Sequence, residues 1–479
     1  MGRAVSGGAL PRGLSALIEE CGAQPEEVVT VGASGQIIAL DFTDRYANSD
    51  HDFEWLRDLP DLERLRVPIF EERDGRSPLI LPLEKCPRLR ELGATAPEGF
   101  DLSPLRACST LEVLDLRGSL FEAIDLSPLT GCPALRRLEL GHNLLGEIDL
   151  RPLAACPQLE YLDLSIMSDV EANERHRLRV IDLSPLARSD ALETLLLGGN
   201  SLRAIDLSPL SGKERFRTLT LFDHMFTEVD LAPLARCPAL ELLHLGYKTS
   251  YYYPATMTAP LERVDLGPLS ECGKLKTLYV GSARLRDLNL SPLARVPLET
   301  LVLSGERLAS VDLGPLAGHA SLRHLDLGQF DWLLQIELAP LSGMAGLEVL
   351  RVRATSLSDV DLGVLPTLPR LRDLYLGGHR DDTSALDLAP LARCRALERV
   401  MILGEKLAPL DLSPLARAPL LWLNLCAYNP DAELDFAPLL DSSTLAELLV
   451  GRRPVRLPAA RRKDGIAWTS RLRSQVVWE

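Results

Sequence analysis

The sequence predicts an α/β solenoid of about 17 short strands, and three observations predict it. A unit of about 24 residues recurs through most of the 479-residue chain; nearly every copy opens with leucines at fixed spacing; and nearly every copy closes with a segment of the form φ-D-L-x-P-L. One copy is too short to cover its own apolar face, so copies must stack, sharing strand hydrogen bonds and shielding each other's flanks. Residues Leu135 to Leu159, LRRLELGHNLLGEIDLRPLAACPQL, show the unit whole. Leu138 and Leu140 flank Glu139 in the alternation of a strand. Ile148, Asp149 and Leu150 form an extended return. Pro152 can open a single helical turn, because the amide hydrogen it lacks would be unpaired there anyway, and Pro157 must end it. The inward set is Leu135, Leu138, Leu140, Leu145, Ile148, Leu150, Leu153 and Cys156.

Taken in order, residues 1–36 read as an N-terminal cap. PRGLSALIEEC, from Pro11 to Cys21, places Leu14, Leu17, Ile18 and Cys21 at helical spacing after a proline. Glu27 to Phe42 reads as two strands joined by a Gly-rich turn, the second already matching the repeat. The solenoid spans residues 37–453, with seventeen strand starts running from Ile37, Leu62 and Leu89 through Leu135 to Leu420 and Leu445. Most intervals are 22 to 27 residues, but Leu159 to Leu192 takes 33 and Leu240 to Leu275 takes 35. Both extra lengths fall between strand and return, near residues 165–180 and 246–263; insertions at one repeat position emerge on one edge and often mark a binding region. Residues 454–479 turn basic and read as a C-terminal cap, with Asp464-Gly465 as the turn of a hairpin laid over the last repeat.

The net charge of −15 is mostly a property of the repeat. Thirteen aspartates, from Asp52 and Asp101 to Asp411 and Asp435, occupy the second position of φ-D-L-x-P-L, and without them about two net negative charges remain. The acidity argues against a nucleic-acid partner. Carboxylates stacked one strand spacing apart repel unless backbone donors hold them, so each Asp is expected to accept the amide hydrogen two residues on. Seven of the nine cysteines, Cys86, Cys108, Cys132, Cys156, Cys237, Cys272 and Cys394, share the slot three residues after the leucine of x-P-L, where they serve as small apolar core residues. Ser189, Lys213, His319 and Ser442 are the polar exceptions. A row of free buried thiols points to a reducing compartment, hence the cytoplasm. No apolar run suits a secretory signal or a membrane span, so no membrane association is expected; Gly2 and Ser6 match the loose myristoylation pattern as a chance occurrence would.

L-x-x-L-x-L-x-x-N-x-L, at Leu135 to Leu145, resembles the leucine-rich-repeat signature, and sixteen further strands repeat it. The 24-residue spacing and recurrent IDLSPL segment resemble the cysteine-containing variant. The resemblance implies a horseshoe with a concave parallel sheet and short helical turns outside, used to bind other proteins and carrying no reaction of its own. The chain departs from the family in the Asn slot, which holds Asn only at Asn143 and Asn200, so the usual asparagine ladder is expected to be largely missing.

Function must then come from what decorates the sheet. No phosphate-binding glycine loop, nucleophile elbow, H-E-x-x-H or C-x-x-C occurs, so no enzyme activity, no cofactor and no metal are expected. His319 and His324 sit at different repeat positions and read as surface histidines. Because strand residues alternate, one central row lines the concave sheet: Asp41, Arg66, Gly93, Asp115, Glu139, Asp163, Leu196, Thr220, His244, Tyr279, Val302, Asp326, Arg351, Tyr375, Met401, Asn424, Leu449. His244 and Tyr279 fall in it, Phe222 and Tyr247 flank it, and the second insertion adds Tyr251, Tyr252 and Tyr253. Aromatics with a polar tip suit the centre of a protein interface. The expectation is therefore a non-catalytic scaffold gripping another protein on its concave face near the middle strands. The alternatives are an enzyme using Glu171, Glu174 and His176 from the first insertion, or a cation or small-ligand sensor using Asp115, Glu139 and Asp163, which Arg117 and Arg137 lie close enough to neutralise.

Overall fold

The structure is a computed structural model; it describes every residue except 1–9, 48–52, 71–80, 96–99, 167–176, 247–260, 283, 306, 309, 330–334, 355, 380–381, 405–407, 426–433, 451–454, 458–475 and 479. The helix expected after Pro11 is present. The helix Arg12–Glu20 buries Leu14, Leu17 and Ile18. A short second turn, Pro25–Val28, starts with a capping box in which the Gln24 amide donates to Glu27 Oε2 at 3.1 Å. The strand Val29–Val31 then pairs antiparallel with Ile37–Asp41.

All seventeen expected repeat strands are present, from Ile37–Asp41 to Glu447–Val450, and with the cap strand they make one 18-stranded sheet. Within it the repeat strands pair parallel: Arg137–Glu139, for example, pairs with Val113–Asp115 on one side and Tyr161–Asp163 on the other. In most copies the strand starts two residues after the anchoring leucine, as at Leu135, whose side chain is fully buried. The chain divides into two compact units, Met1–Phe226 with Ala232–Leu240, and Thr227–Leu231 with Glu241–Glu479. Nine of the eighteen strands lie in each.

Outside the strands the return segments close with 3-10 rather than α-helical turns, such as Ser127–Gly131 and Arg151–Ala155. Proline in the first turn and an eight-residue walk to the next strand leave no room for more. The aspartates do what the stacking argument requires. Among the described residues, Asp101, Asp125, Asp149, Asp182, Asp206, Asp265, Asp312, Asp361, Asp387, Asp411 and Asp435 accept the amide hydrogen two residues on, at 2.7–3.0 Å. Asn289, which replaces Asp in its copy, accepts the same bond from Ser291 at 2.9 Å. Of the inward set in the Leu135 copy, all are buried except Ile148, which is half-buried because the return segment lies at the edge of the coil.

The cysteine slot is a column of donors. Cys132, Cys156 and Cys237 donate to the carbonyls of Leu105, Leu129 and Leu210 in the copy before, at 3.3, 3.5 and 3.2 Å. Two of the polar exceptions reach a different carbonyl of the copy before, that of its own slot residue. Lys213 Nζ donates to Ser189 O at 2.8 Å, and His319 Nε2 lies 2.8 Å from Val296 O. His319 is only 7% exposed, so the expectation of a surface histidine is wrong there. The slot tolerates a long polar side chain because its tip meets a carbonyl that can accept a second hydrogen bond beside its backbone one, as Ser189 O and Val296 O do.

The asparagine ladder is also fuller than its two asparagines suggest. Asn143 Nδ2 donates to Leu116 O and Leu140 O while Oδ1 accepts from Phe121 N; Asn200 repeats the pattern with Leu164, Leu197 and Leu178. His224 Nδ1 accepts from Leu202 N at 3.4 Å, and Asp382 Oδ2 accepts from Leu357 N at 2.9 Å, so both stand in for the Asn acceptor. In the C-terminal region Val455–Leu457 and Val476–Trp478 pair parallel, so these two strands are not the arms of one hairpin; the expected turn at Asp464-Gly465 lies outside the described residues.

Candidate functional site

The central row is in register residue for residue within each unit. In the first, Asp41, Arg66, Gly93, Asp115, Glu139, Asp163, Leu196 and Thr220 are successive partners. In the second, His244, Tyr279, Val302, Asp326, Arg351, Tyr375, Met401, Asn424 and Leu449 are. Alternation turns the leucines on either side of each of these residues into the core, so the row lies on the open face of the sheet.

The aromatic residues are only partly brought together. His244 and Tyr279 are strand partners, both half-buried, with ring centroids 4.5 Å apart and planes tilted by 32°. Phe222 ends its strand in the first unit and is half-buried. Its ring lies across Gly198, where any Cβ would come within 2.2 Å of it, so Phe222 is packed down onto the sheet. Tyr247, Tyr251, Tyr252 and Tyr253 lie outside the described residues, as do Glu171, Glu174 and His176. The chain leaves the sheet for the second insertion at Gly246, whose φ of +96° and approach to Gly281 O exclude a side chain.

The acidic trio is buried under arginines. Asp115, Glu139 and Asp163 are 8%, 4% and 6% exposed although they lie on the open face. Arg117 reaches Asp115 through Nε at 3.0 Å and Nη2 at 2.9 Å, and Glu139 through Nε at 2.7 Å. Arg137 pairs with Glu139, and Arg66 approaches Asp115 at 3.5 Å. Ser165 satisfies Asp163 from both its amide and its hydroxyl. Burial by itself would raise the Asp115 pKa; the Arg117 bonds outweigh it and hold the carboxyl below its usual value. Asp115 and Glu139 therefore form an ion-paired layer beneath the arginines, while Asp163 is held by Ser165; the layer is buried rather than solvated.

Two arginine–tyrosine stacks escaped the sequence reading. Arg137 lies over the Tyr161 ring with its guanidinium carbon 3.6 Å from the centroid, and Arg351 lies over Tyr375 at 4.5 Å. Each arginine is held by a carboxylate, Arg351 by Asp326 at 3.1 Å. Each pair consists of register partners on adjacent strands, so reading the rows across strands, flanking as well as central, for Arg beside Tyr would have found them. Burial, and then the Arg351 cation beside it, lower the pKa of His324.

A family model described as leucine rich repeat matches residues 109–165. Solved structures similar to the chain include a leucine-rich-repeat protein of Leptospira interrogans, at 16% identity over 82% of this chain and 89% of that one, with a TM-score of 0.57. The functional domain of InlJ from Listeria monocytogenes, which includes a cysteine ladder, is 18% identical over 88% of this chain and 74% of its own, with a TM-score of 0.53. The ectodomain of an Arabidopsis thaliana membrane receptor kinase, solved in complex with Casparian strip integrity factor 2, is 16% identical over 95% and 60%, with a TM-score of 0.56. No curated protein matches by sequence.

Proposed function

We propose that this chain, a leucine-rich-repeat protein, is a non-catalytic scaffold that binds another protein on the open face of its sheet, around His244 and Tyr279. Leucine-rich-repeat proteins are generally binding scaffolds rather than enzymes, and the receptor ectodomain similar in fold holds its partner in the solved complex. The observation that carries the location is the His244–Tyr279 pair: two aromatic rings with polar tips, side by side on rigid strands, half-exposed. Such rings bury area with little loss of side-chain freedom, which is what the centre of an interface needs. The strand that carries His244 ends at Gly246, and Tyr247 and Tyr251 to Tyr253 follow close in sequence. The test is affinity capture from the cell that makes the protein, comparing wild type with a His244→Ala, Tyr279→Ala double variant. The reading expects at least one partner to be lost; equal recovery of every partner by both would remove the aromatic pair from the function.

The compartment proposed is the cytoplasm. Its support is that all eight described cysteines are free, seven of them buried in one column. Neither nucleic acid nor a membrane is proposed as a partner: the repeat's aspartates give the chain a strongly negative charge, and no helix among the described residues is long and apolar enough to cross a bilayer.

A further inference from the structure

We propose that the open face of the sheet in the first unit is a docking site for an acidic peptide segment, read by the guanidinium groups of Arg66, Arg117 and Arg137. It rests on the open face being the binding face, as above, but not on the aromatic pair. The charges there are layered. The carboxylates form the lower layer, with Asp115 and Glu139 side chains 10% and 6% exposed, while Arg66, Arg117 and Arg137 lie above them at 37%, 48% and 40%. A partner arriving at this face meets cations.

The lower layer fixes those cations in place. Among the described residues, Arg117 is engaged through Nε and Nη2 and Arg137 through Nε, which leaves the remaining guanidinium N–H groups of both for the peptide. Arg137 is further held over the Tyr161 ring. Guanidinium forks held before binding lose little freedom on binding and match carboxylates in a planar, two-bond geometry. A groove of about 460 Å³ runs beside them, lined by Arg66, Gly93, Asp115 and Arg117 among others, and Gly93 keeps its floor low.

Spacing favours a peptide over an isolated anion. The strands carrying Arg66, Arg117 and Arg137 are separated by two spacings and then one, roughly 10 Å and 5 Å. An extended peptide laid across them presents same-side residues about every 7 Å, so alternate carboxylates reach different arginines. The repeat aspartates that dominate the net charge sit in the return segments, and ionic screening over about 10 Å separates their field from this face. Of the other acids at the site, Asp44 lines the groove at its edge and Asp41 and Glu91 flank it, with Arg64 exposed beside them.

The test uses the full chain and a fluorescein-labelled peptide of six Glu-Gly repeats, followed by fluorescence anisotropy at low and physiological salt. The expected result is saturable binding that weakens with salt, falls tenfold or more in Arg117→Gln, Arg137→Gln, and is unchanged in His244→Ala, Tyr279→Ala. Because removing both arginines uncovers buried carboxylates, Arg117→Lys, Arg137→Lys is the companion variant; it keeps the charge, loses the fork, and is expected to bind several-fold more weakly while melting near wild type. Binding that survives both arginine variants, an equal response to a Lys-Gly peptide, or displacement by millimolar inorganic phosphate or a short oligonucleotide as effectively as by unlabelled peptide would each overturn the proposal. None of these outcomes depends on whether the aromatic pair proves to hold a partner.

Discussion

Replacing Asn143 by Ala tests how much the surviving asparagine ladder holds. The side chain is 2% exposed and satisfies three backbone groups: the carbonyls of Leu116 and Leu140, at 3.0 and 2.8 Å, and the amide of Phe121 at 3.1 Å. Alanine can replace none of these bonds, and the site is too closed for water to enter without opening the loop. An unsatisfied buried group costs about 1–1.5 kcal/mol at the lower end, so three give about 3–4 kcal/mol. Because copies support their neighbours, the loss is expected to appear first as local opening of this copy rather than as uniform weakening. Hydrogen exchange at the Phe121 amide, together with urea unfolding, measures both. Asn200→Ala should match it, since its three bonds are of the same kind. His224→Ala, which removes one longer bond, should cost clearly less. An Asn143→Ala protein with unchanged exchange at Phe121 and a stability within about 0.5 kcal/mol of wild type would refute the reasoning.

Acid should weaken the solenoid through its aspartates. Asp125 and Asp206 are held below the usual carboxylate value chiefly by the amides of Ser127 and Ser208, and Asp149 and Asp411 chiefly by the side chains of Arg151 and Ser413. A depressed carboxyl contributes its full stability above about pH 4 and loses it as pH falls through the lower folded value, so melting temperature should drop progressively below about pH 4. Asp206→Asn, which keeps an acceptor without the charge, should flatten that drop, and Asp206→Ala with Asp230→Ala should lower the melting temperature at pH 7. Burial pushes the thiols of Cys108 and Cys132 up to about 12 and those of Cys86, Cys156 and Cys394 to about 11. Of the eight described cysteines, half-buried Cys21 should therefore be the first labelled by iodoacetamide at pH 8, the others following only on unfolding. Lys213 is buried in the cysteine column and burial lowers its pKa, so it opposes folding at neutral pH. Lys213→Cys, restoring the usual donor, should stabilise by about 1 kcal/mol in urea unfolding, and a loss of that size would show the lysine's carbonyl bonds outweigh its burial.

By itself the sequence determined the solenoid, the seventeen strand positions, the central row and the aspartate bond to the second amide on. All four follow from spacing along the chain: a period of two within a strand, about 24 between copies, and a turn closed by a side chain two residues from its partner. It also marked Arg117 and Arg137 as near the acidic trio, since adjacent strands bring equivalent positions together. Only the tertiary structure decided that the acids lie beneath the arginines rather than beside them, that Arg137 rests on Tyr161 and Arg351 on Tyr375, and that His319 fills a core slot. Only it showed that His224 and Asp382 replace asparagine, and that Phe222 packs onto Gly198 while His244 and Tyr279 pair. These outcomes turn on side-chain rotamers, and on which backbone group of a neighbouring copy each polar tip can reach. Repeat spacing fixes where each backbone runs, but the choice among several reachable partners is made by burial and hydrogen-bond satisfaction across copies, which no single unit encodes.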